Sequence, residues 1–114
     1  MTKSAAIAFA EWLAITYGDR GVGVSCLCPM AVDTPLLDAG LAQPGEAGLG
    51  MRIVTQSGTV LAPDDVADAV VHGLYEESFL ILPHPQVQKM YASRARDVDA
   101  WIGGMHQVRA AFAK

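Results

Sequence analysis

A chain of 114 residues has room for one domain at most, and with 52% hydrophobic residues it is no disordered tail. The formal net charge is −4, and the eight Lys and Arg residues are scattered. That excludes the basic patch which a nucleic-acid or anionic-membrane surface requires. Cys26 and Cys28 stand too close in one apolar run to bridge comfortably, and nothing else signals secretion, so a reducing cytoplasm is the expected compartment. No uninterrupted apolar run is long enough to span a bilayer, and no internal repeat is present.

Residues 2–17 read as a helix rich in Ala, Leu, Ile and Trp, with Gly18 expected as its C-terminal stop. Ala5, Ile7, Ala8, Phe9, Trp12, Leu13 and Ile15 cover most of its circumference, which predicts burial on several sides. Residues 18–21 form a turn. Residues 22–28 then read as a strand closed by Pro29. Apolar or small residues on both of its faces suit a parallel strand covered on both sides.

Residues 29–61 are the least regular stretch, with Pro35, Pro44 and five glycines. A short helix is expected near residues 36–41. The run Gly45-Glu46-Ala47-Gly48-Leu49-Gly50 has a phosphate-loop spacing but follows no predicted strand, so it reads as a flexible loop. Leu36, Leu37, Leu41, Met51, Ile53 and Val54 suit an apolar pocket or ordinary packing equally.

Residues 63–76 predict a second helix. Pro63 sits at its first position, Asp64 and Asp65 lie at the positive end of the dipole, and Val66, Val70 and Leu74 form its buried stripe. Residues 79–82 read as a short apolar strand ended by Pro83-His84-Pro85. Residues 86–114 read as one or two helices with a packing stripe of Trp101, Met105, Val108 and Phe112. His72, His84 and His106 share no metal-ligand spacing with the cysteines and read as unrelated residues.

This order predicts a parallel βαβ unit within an α/β fold. Two parallel strands stand poorly alone, and the first helix carries more apolar surface than they can cover. The physical expectation is that further sheet or a partner subunit completes the structure.

The segments Thr2-Lys3-Ser4-Ala5-Ala6, Gly21-Val22-Gly23-Val24-Ser25-Cys26-Leu27-Cys28-Pro29, Val32-Asp33-Thr34-Pro35 and Pro63-Asp64-Asp65-Val66-Ala67 occur in this order. As a set they resemble the short-chain dehydrogenase/reductase family, from its active-site helix to its C-terminus. The resemblance implies the C-terminal part of a Rossmann-like, doubly wound parallel sheet spanning residues 1–114, with the cofactor-binding N-terminal half outside it. It implies an NAD- or NADP-dependent oxidoreductase that moves hydride between the nicotinamide and an alcohol/carbonyl small molecule. It also implies a homo-oligomer, or association with the remainder of the fold.

Lys3 matches the lysine of the family's Tyr-x-x-x-Lys motif, whose tyrosine falls two residues before Met1. The implied role is catalytic and cofactor-binding: its ammonium holds the nicotinamide ribose and lowers the pKa of the tyrosine. Read without the resemblance, Lys3 is a solvated lysine near a helix start. Pro29, Val32 and Thr34 match the segment that follows the sixth strand, which implies contacts to the nicotinamide carboxamide and pyrophosphate. Met30 departs from the pattern by replacing the usual glycine. Thr34 is equally a helix cap before Pro35. The chain alone is expected to be inactive and to bind cofactor weakly or not at all. The alternative is a non-catalytic remnant or interaction module that self-associates or docks on a full-length relative.

Overall fold

An alanine-rich segment free of proline and glycine favours helix from its first residues. In the computed structural model, which describes residues 2–113, α1 spans Thr2–Tyr17. It ends at Tyr17, as expected, but Gly18 does not take the left-handed conformation of a stop. The chain tightens into a 3-10 turn, Gly18–Arg20, and Gly21 takes the left-handed conformation (φ 80°), donating its N–H to the Gly18 carbonyl at 3.2 Å. The stop is thus Gly21, three residues beyond Gly18. Along α1 the aromatic rings pack on one another. Phe9 stacks on Trp12, Trp12 meets Tyr17 edge-on, and Arg20 lies over the Tyr17 ring.

The expected burial of α1 is not found. Its principal packing partner is the 3-10 turn that follows it, and Phe9, Trp12 and Ile15 are exposed, Ile15 to 76%. The physical reason is the one that its composition raises: the sheet beside it is too small to cover it.

That sheet has two strands among the described residues, β1 (Cys26–Leu27) and β2 (Leu80–Ile81). They run parallel, with Cys26 opposite Leu80 and Leu27 opposite Ile81. The expected strand over 22–28 is therefore shorter. Its ladder exists only where β2 supplies a partner: the Cys26 N–H bonds the Phe79 carbonyl at 2.6 Å and the Cys28 N–H the Ile81 carbonyl at 3.0 Å. Just before it, the Ser25 hydroxyl donates to the Ser78 carbonyl at 2.7 Å.

Between the strands lie three helices. The first, α2 (Pro35–Leu41), starts as expected, with extended Thr34 as N-cap, its Oγ1 accepting the Leu37 N–H at 3.3 Å, and Pro35 opening the helix. The second, α3 (Gly45–Gln56), replaces the expected flexible loop. Its glycines have little helix propensity, but packing against α2 overrides them. A Cβ on Gly48 would lie 1.9 Å from the Gln43 carbonyl oxygen, so only glycine lets the two turns approach this closely.

The third, α4 (Pro63–Tyr75), begins with Pro63, Asp64 and Asp65 as expected. Its buried face differs: Val66 and Gly73 are covered, whereas Leu74 is 58% exposed. Val66 is buried and Val70 half-buried, as expected, but the covered face ends on Gly73, which meets the Ile81 side chain of β2, and not on Leu74. After β2 come α5 (Gln86–Arg96) and α6 (Val98–Phe112), divided at Asp97, whose carboxylate accepts the Ala100 N–H at 3.0 Å as the cap of α6. Trp101, Met105, Val108 and Phe112 are half-buried on α6, which packs on α3 and α5. The Arg109–Glu46 ion pair ties α6 to α3.

The observed class is a mostly helical α/β arrangement on a two-stranded parallel sheet. Among the described residues the buried apolar ones are few: Ala31, Leu37, Leu49, Val66 and Ile81. The radius of gyration, 15.9 Å, exceeds the roughly 13 Å of a compact domain of this length. Both facts agree with a core that leaves α1 uncovered.

Candidate functional site

In parallel α/β sheets, chemistry collects beyond the carboxyl ends of the strands. Here that position is the loop from Pro29 to Thr34. Pro29 has no N–H to continue the ladder with β2, so the chain leaves it there. It then pairs with a different segment. Val32 forms a parallel bridge with Leu61, in which the Leu61 N–H bonds the Ala31 carbonyl at 3.1 Å and the Asp33 N–H bonds the Leu61 carbonyl at 2.8 Å. In that geometry the N–H and C=O of Val32 itself point away from Leu61.

The other side of the loop is held by a residue that sequence reasoning set aside. His84 is 1% exposed, the largest fully buried side chain among the described residues. Its Nδ1 accepts the Met30 N–H at 3.1 Å, and its Nε2 lies 3.1 Å from the Ala31 carbonyl oxygen. The first bond requires Nδ1 to be bare and the second requires a hydrogen on Nε2, so the ring is fixed as the Nε2–H tautomer. The Ala31 carbonyl thus accepts from both His84 and Leu61. The signal in the sequence was the position of His84 between Pro83 and Pro85, at the end of a strand parallel to the one that leads into the loop. A histidine so restrained, beside a loop that has left its ladder with β2, has two ring nitrogens to offer to main chain.

After these bonds, no main-chain group among the described residues takes up the N–H or the C=O of Val32. A primary amide presents the complementary pair. The donor set at the loop therefore fits a carboxamide group.

The sequence-predicted residues are distributed as follows. Pro29 is exposed at the start of the loop, Val32 is half-buried at its bridge, and Thr34 is half-buried as the cap of α2. Lys3 is exposed in the first turn of α1, and among the described residues no hydrogen bond or ion pair joins it to the loop. The structure thus brings Pro29, Val32 and Thr34 together and leaves Lys3 on a separate element. Met1, and the position two residues before it, lie outside the described residues.

Beside the loop, α3, α5 and α6 line a partly open cavity of about 620 Å³ whose lining includes Met30, Ile53, Val54, Met90, Trp101 and Met105. This volume is in the range of small-molecule sites. Of the residues that the sequence offered for an apolar pocket, Ile53 and Val54 line it. Leu37 is buried in the core, Leu36 is exposed, and Met51 fills the space over Gly40.

Cys26 and Cys28 are unbridged, with their sulfurs 3.9 Å apart. Burial raises the Cys28 thiol pKa above its usual value, and the hydrogen bond and charge of Cys26 push it the same way. Such a thiol is a poor nucleophile and a poor metal ligand. Among the described residues no three His, Cys, Asp or Glu side chains gather as a metal site, and no helix is long and apolar enough to cross a membrane.

Two curated proteins resemble the chain. One is a short-chain dehydrogenase of Aspergillus ruber, 33% identical over 72 residues, which are 61% of this chain and 26% of that protein. The other is a (+)-cis,trans-nepetalactol synthase of Nepeta racemosa, 33% identical over 89 residues, which are 76% of this chain and 33% of that protein. The chain therefore spans about a quarter to a third of the length of the curated relatives it matches. No family model matches it, and no solved structure does. These similarities support a relationship to short-chain dehydrogenase-type enzymes at the level of the family.

Proposed function

We propose that the chain is the C-terminal part of the Rossmann-like domain of an NAD(P)-dependent short-chain dehydrogenase/reductase acting on an alcohol/carbonyl pair in the cytoplasm. The observation that carries this reading is the loop at the carboxyl end of β1. It is pinned on one side by His84 and on the other by Leu61, and it leaves the N–H and C=O of Val32 free for an amide. In this reading the backbone of Val32 holds the nicotinamide carboxamide, Thr34 adds a polar contact beside it, and Pro29 sets the path of the loop. Lys3 binds the nicotinamide ribose and lowers the pKa of a tyrosine one helical turn before it. The cofactor, when bound, supplies or accepts the hydride. The apolar cavity between α3, α5 and α6 receives the carbon skeleton of the substrate.

The test has two parts. The protein, as expressed from its native gene, is assayed for oxidation of NADH and NADPH by a panel of ketones, and turnover with neither cofactor refutes the reading. The 114-residue chain is titrated with each cofactor by calorimetry. Binding is expected to be weak or undetectable, because no glycine-rich pyrophosphate loop accompanies the nicotinamide end. Micromolar affinity refutes that part.

A second reading is favoured by one observation, the exposed apolar face of α1 formed by Phe9, Trp12 and Ile15. In it the chain is an interaction module that self-associates or docks on a full-length relative through this face. Sedimentation at increasing concentration distinguishes the two states. Association that Trp12→Glu abolishes supports the module, and a monomer at every concentration refutes it.

A further inference from the structure

Met30 stands where the cofactor loop and the apolar cavity meet. It is the one residue of that loop in the lining of the 620 Å³ cavity; the other lining residues come from α3, its C-cap, and the α5–α6 hairpin. It is also held at both ends. Its main-chain N–H is bonded to His84 Nδ1 at 3.1 Å, and its Sδ lies 3.5 Å from the Gln86 side-chain Nε2. The Gln86 amide reaches the sulfur by lying over Gly58, where a Cβ would come within 1.9 Å of Nε2. An unbranched thioether is ordinarily adaptable filler. Here two neighbours from one turn, His84 and Gln86, fix both its backbone and its tip.

We infer that Met30 is a specificity-determining residue: its thioether closes the end of the apolar cavity that adjoins the Pro29–Thr34 loop and limits the bulk of the apolar carbonyl compound that reaches that loop. This inference rests on the proposed reading of the loop as the nicotinamide end. A glycine at position 30 would leave that end of the cavity open, and the ligand could extend there. Met30 therefore makes the site selective for compact apolar substituents on the reacting carbon.

The experiment compares acetophenone with benzophenone as substrates for the protein expressed from its native gene, for the wild type, M30G and M30L. One buried group more or less in an apolar pocket changes discrimination by about 10- to 200-fold. M30G is thus expected to raise the benzophenone-to-acetophenone ratio of kcat/KM by about tenfold or more, while M30L, which keeps the volume, leaves it close to wild type. An unchanged ratio in folded M30G overturns the inference.

A second measurement needs neither turnover nor a variant. With methionine methyl groups labelled, acetophenone is expected to shift the resonances of Met30, Met90 and Met105 and to leave Met51, which packs over Gly40, in place. A Met30 methyl that does not respond overturns the inference. If Met30 responds, yet neither ketone oxidises NADH or NADPH, the redox reading fails and the assignment of Met30 to the ligand cavity stands.

Discussion

Replacing His84 with alanine tests the support of the loop directly. The substitution removes both ring bonds, to the Met30 N–H and to the Ala31 carbonyl. Their losses are unequal. The Ala31 carbonyl keeps its bond from Leu61, so losing the His84 donor costs about 0.5–1.5 kcal/mol. The Met30 N–H has no second acceptor and is left in a partly buried place, which costs about 1–3 kcal/mol. Together these predict a destabilisation of roughly 1.5–4.5 kcal/mol, before any cost of the cavity where the ring stood. With a urea dependence of about 1–3 kcal/mol per molar for a chain of this size, the unfolding midpoint falls by on the order of 1–2 M. Hydrogen exchange gives the local readout: the Met30 amide is protected in the wild type and exchanges rapidly in H84A. The reasoning is refuted if H84A unfolds within about 0.5 kcal/mol of wild type, or if the Met30 amide exchanges equally in both proteins.

Three further predictions concern positions whose surroundings are fixed by named neighbours. Gly48→Ala forces a Cβ against the Gln43 carbonyl and should destabilise by about 1–3 kcal/mol, whereas Gly50→Ala meets nothing within 4 Å in the same helix and should stabilise by about 0.5–1 kcal/mol; denaturant melts that move both variants in one direction contradict this. Thr34→Ala should cost about 1 kcal/mol through loss of the α2 cap, with Thr34→Ser close to wild type, and equal stability of all three proteins would dissociate the hydroxyl from the cap. For Cys28, whose folded-state pKa is raised mainly by burial, the folded protein favours the thiol. Its stabilising contribution is present below the unfolded thiol pKa and is lost as pH rises through the folded one. Iodoacetamide should accordingly label Cys28 more slowly than free cysteine at neutral pH and faster only in alkaline solution, and labelling at the free-cysteine rate at neutral pH is inconsistent with this.

What the sequence made legible follows from how local each signal is. The helices α1, α2 and α4 carry their own punctuation: an uninterrupted alanine-rich run, Thr34-Pro35, and Pro63-Asp64-Asp65. The parallel pairing of β1 and β2 follows from two short apolar segments separated by a long crossover. Helix α3 was not legible, because its three glycines argue against a helix and the packing that overrides them is made with α2. The same holds for the end of the buried face of α4, where Gly73 meets Ile81 across a tertiary contact. At the candidate loop, Thr34 was legible as the cap of α2, because its signal, Thr34-Pro35, is local. His84 and Gln86 were not, since they act on residues more than fifty positions earlier in the chain.

These long-range contacts decide which part of the site the chain builds for itself. The loop after β1 is fixed from both flanks by segments that the crossover delivers, Leu61 ahead of α4 and His84 after β2. Contacts within the described residues thus hold its shape and the direction of the Val32 amide. Lys3 is in the opposite position. It rides on a helix whose apolar side has little to rest on within the chain, so nothing here fixes its distance from the loop. A helix that buries Phe9, Trp12 and Ile15 against further sheet or a partner subunit would gain about 1.5–3 kcal/mol per large side chain, enough to set the orientation of the helix and of Lys3 with it. The two halves of the proposed site are thus separable. In the proposed reading, amide recognition at Val32 would depend on the crossover, and the role of Lys3 on a partner or further sheet that covers α1. Mutations on the exposed face of α1 should consequently disturb catalysis by the complete protein while leaving the Met30 amide protected from exchange, and substitutions at His84 should expose that amide whether or not α1 is covered.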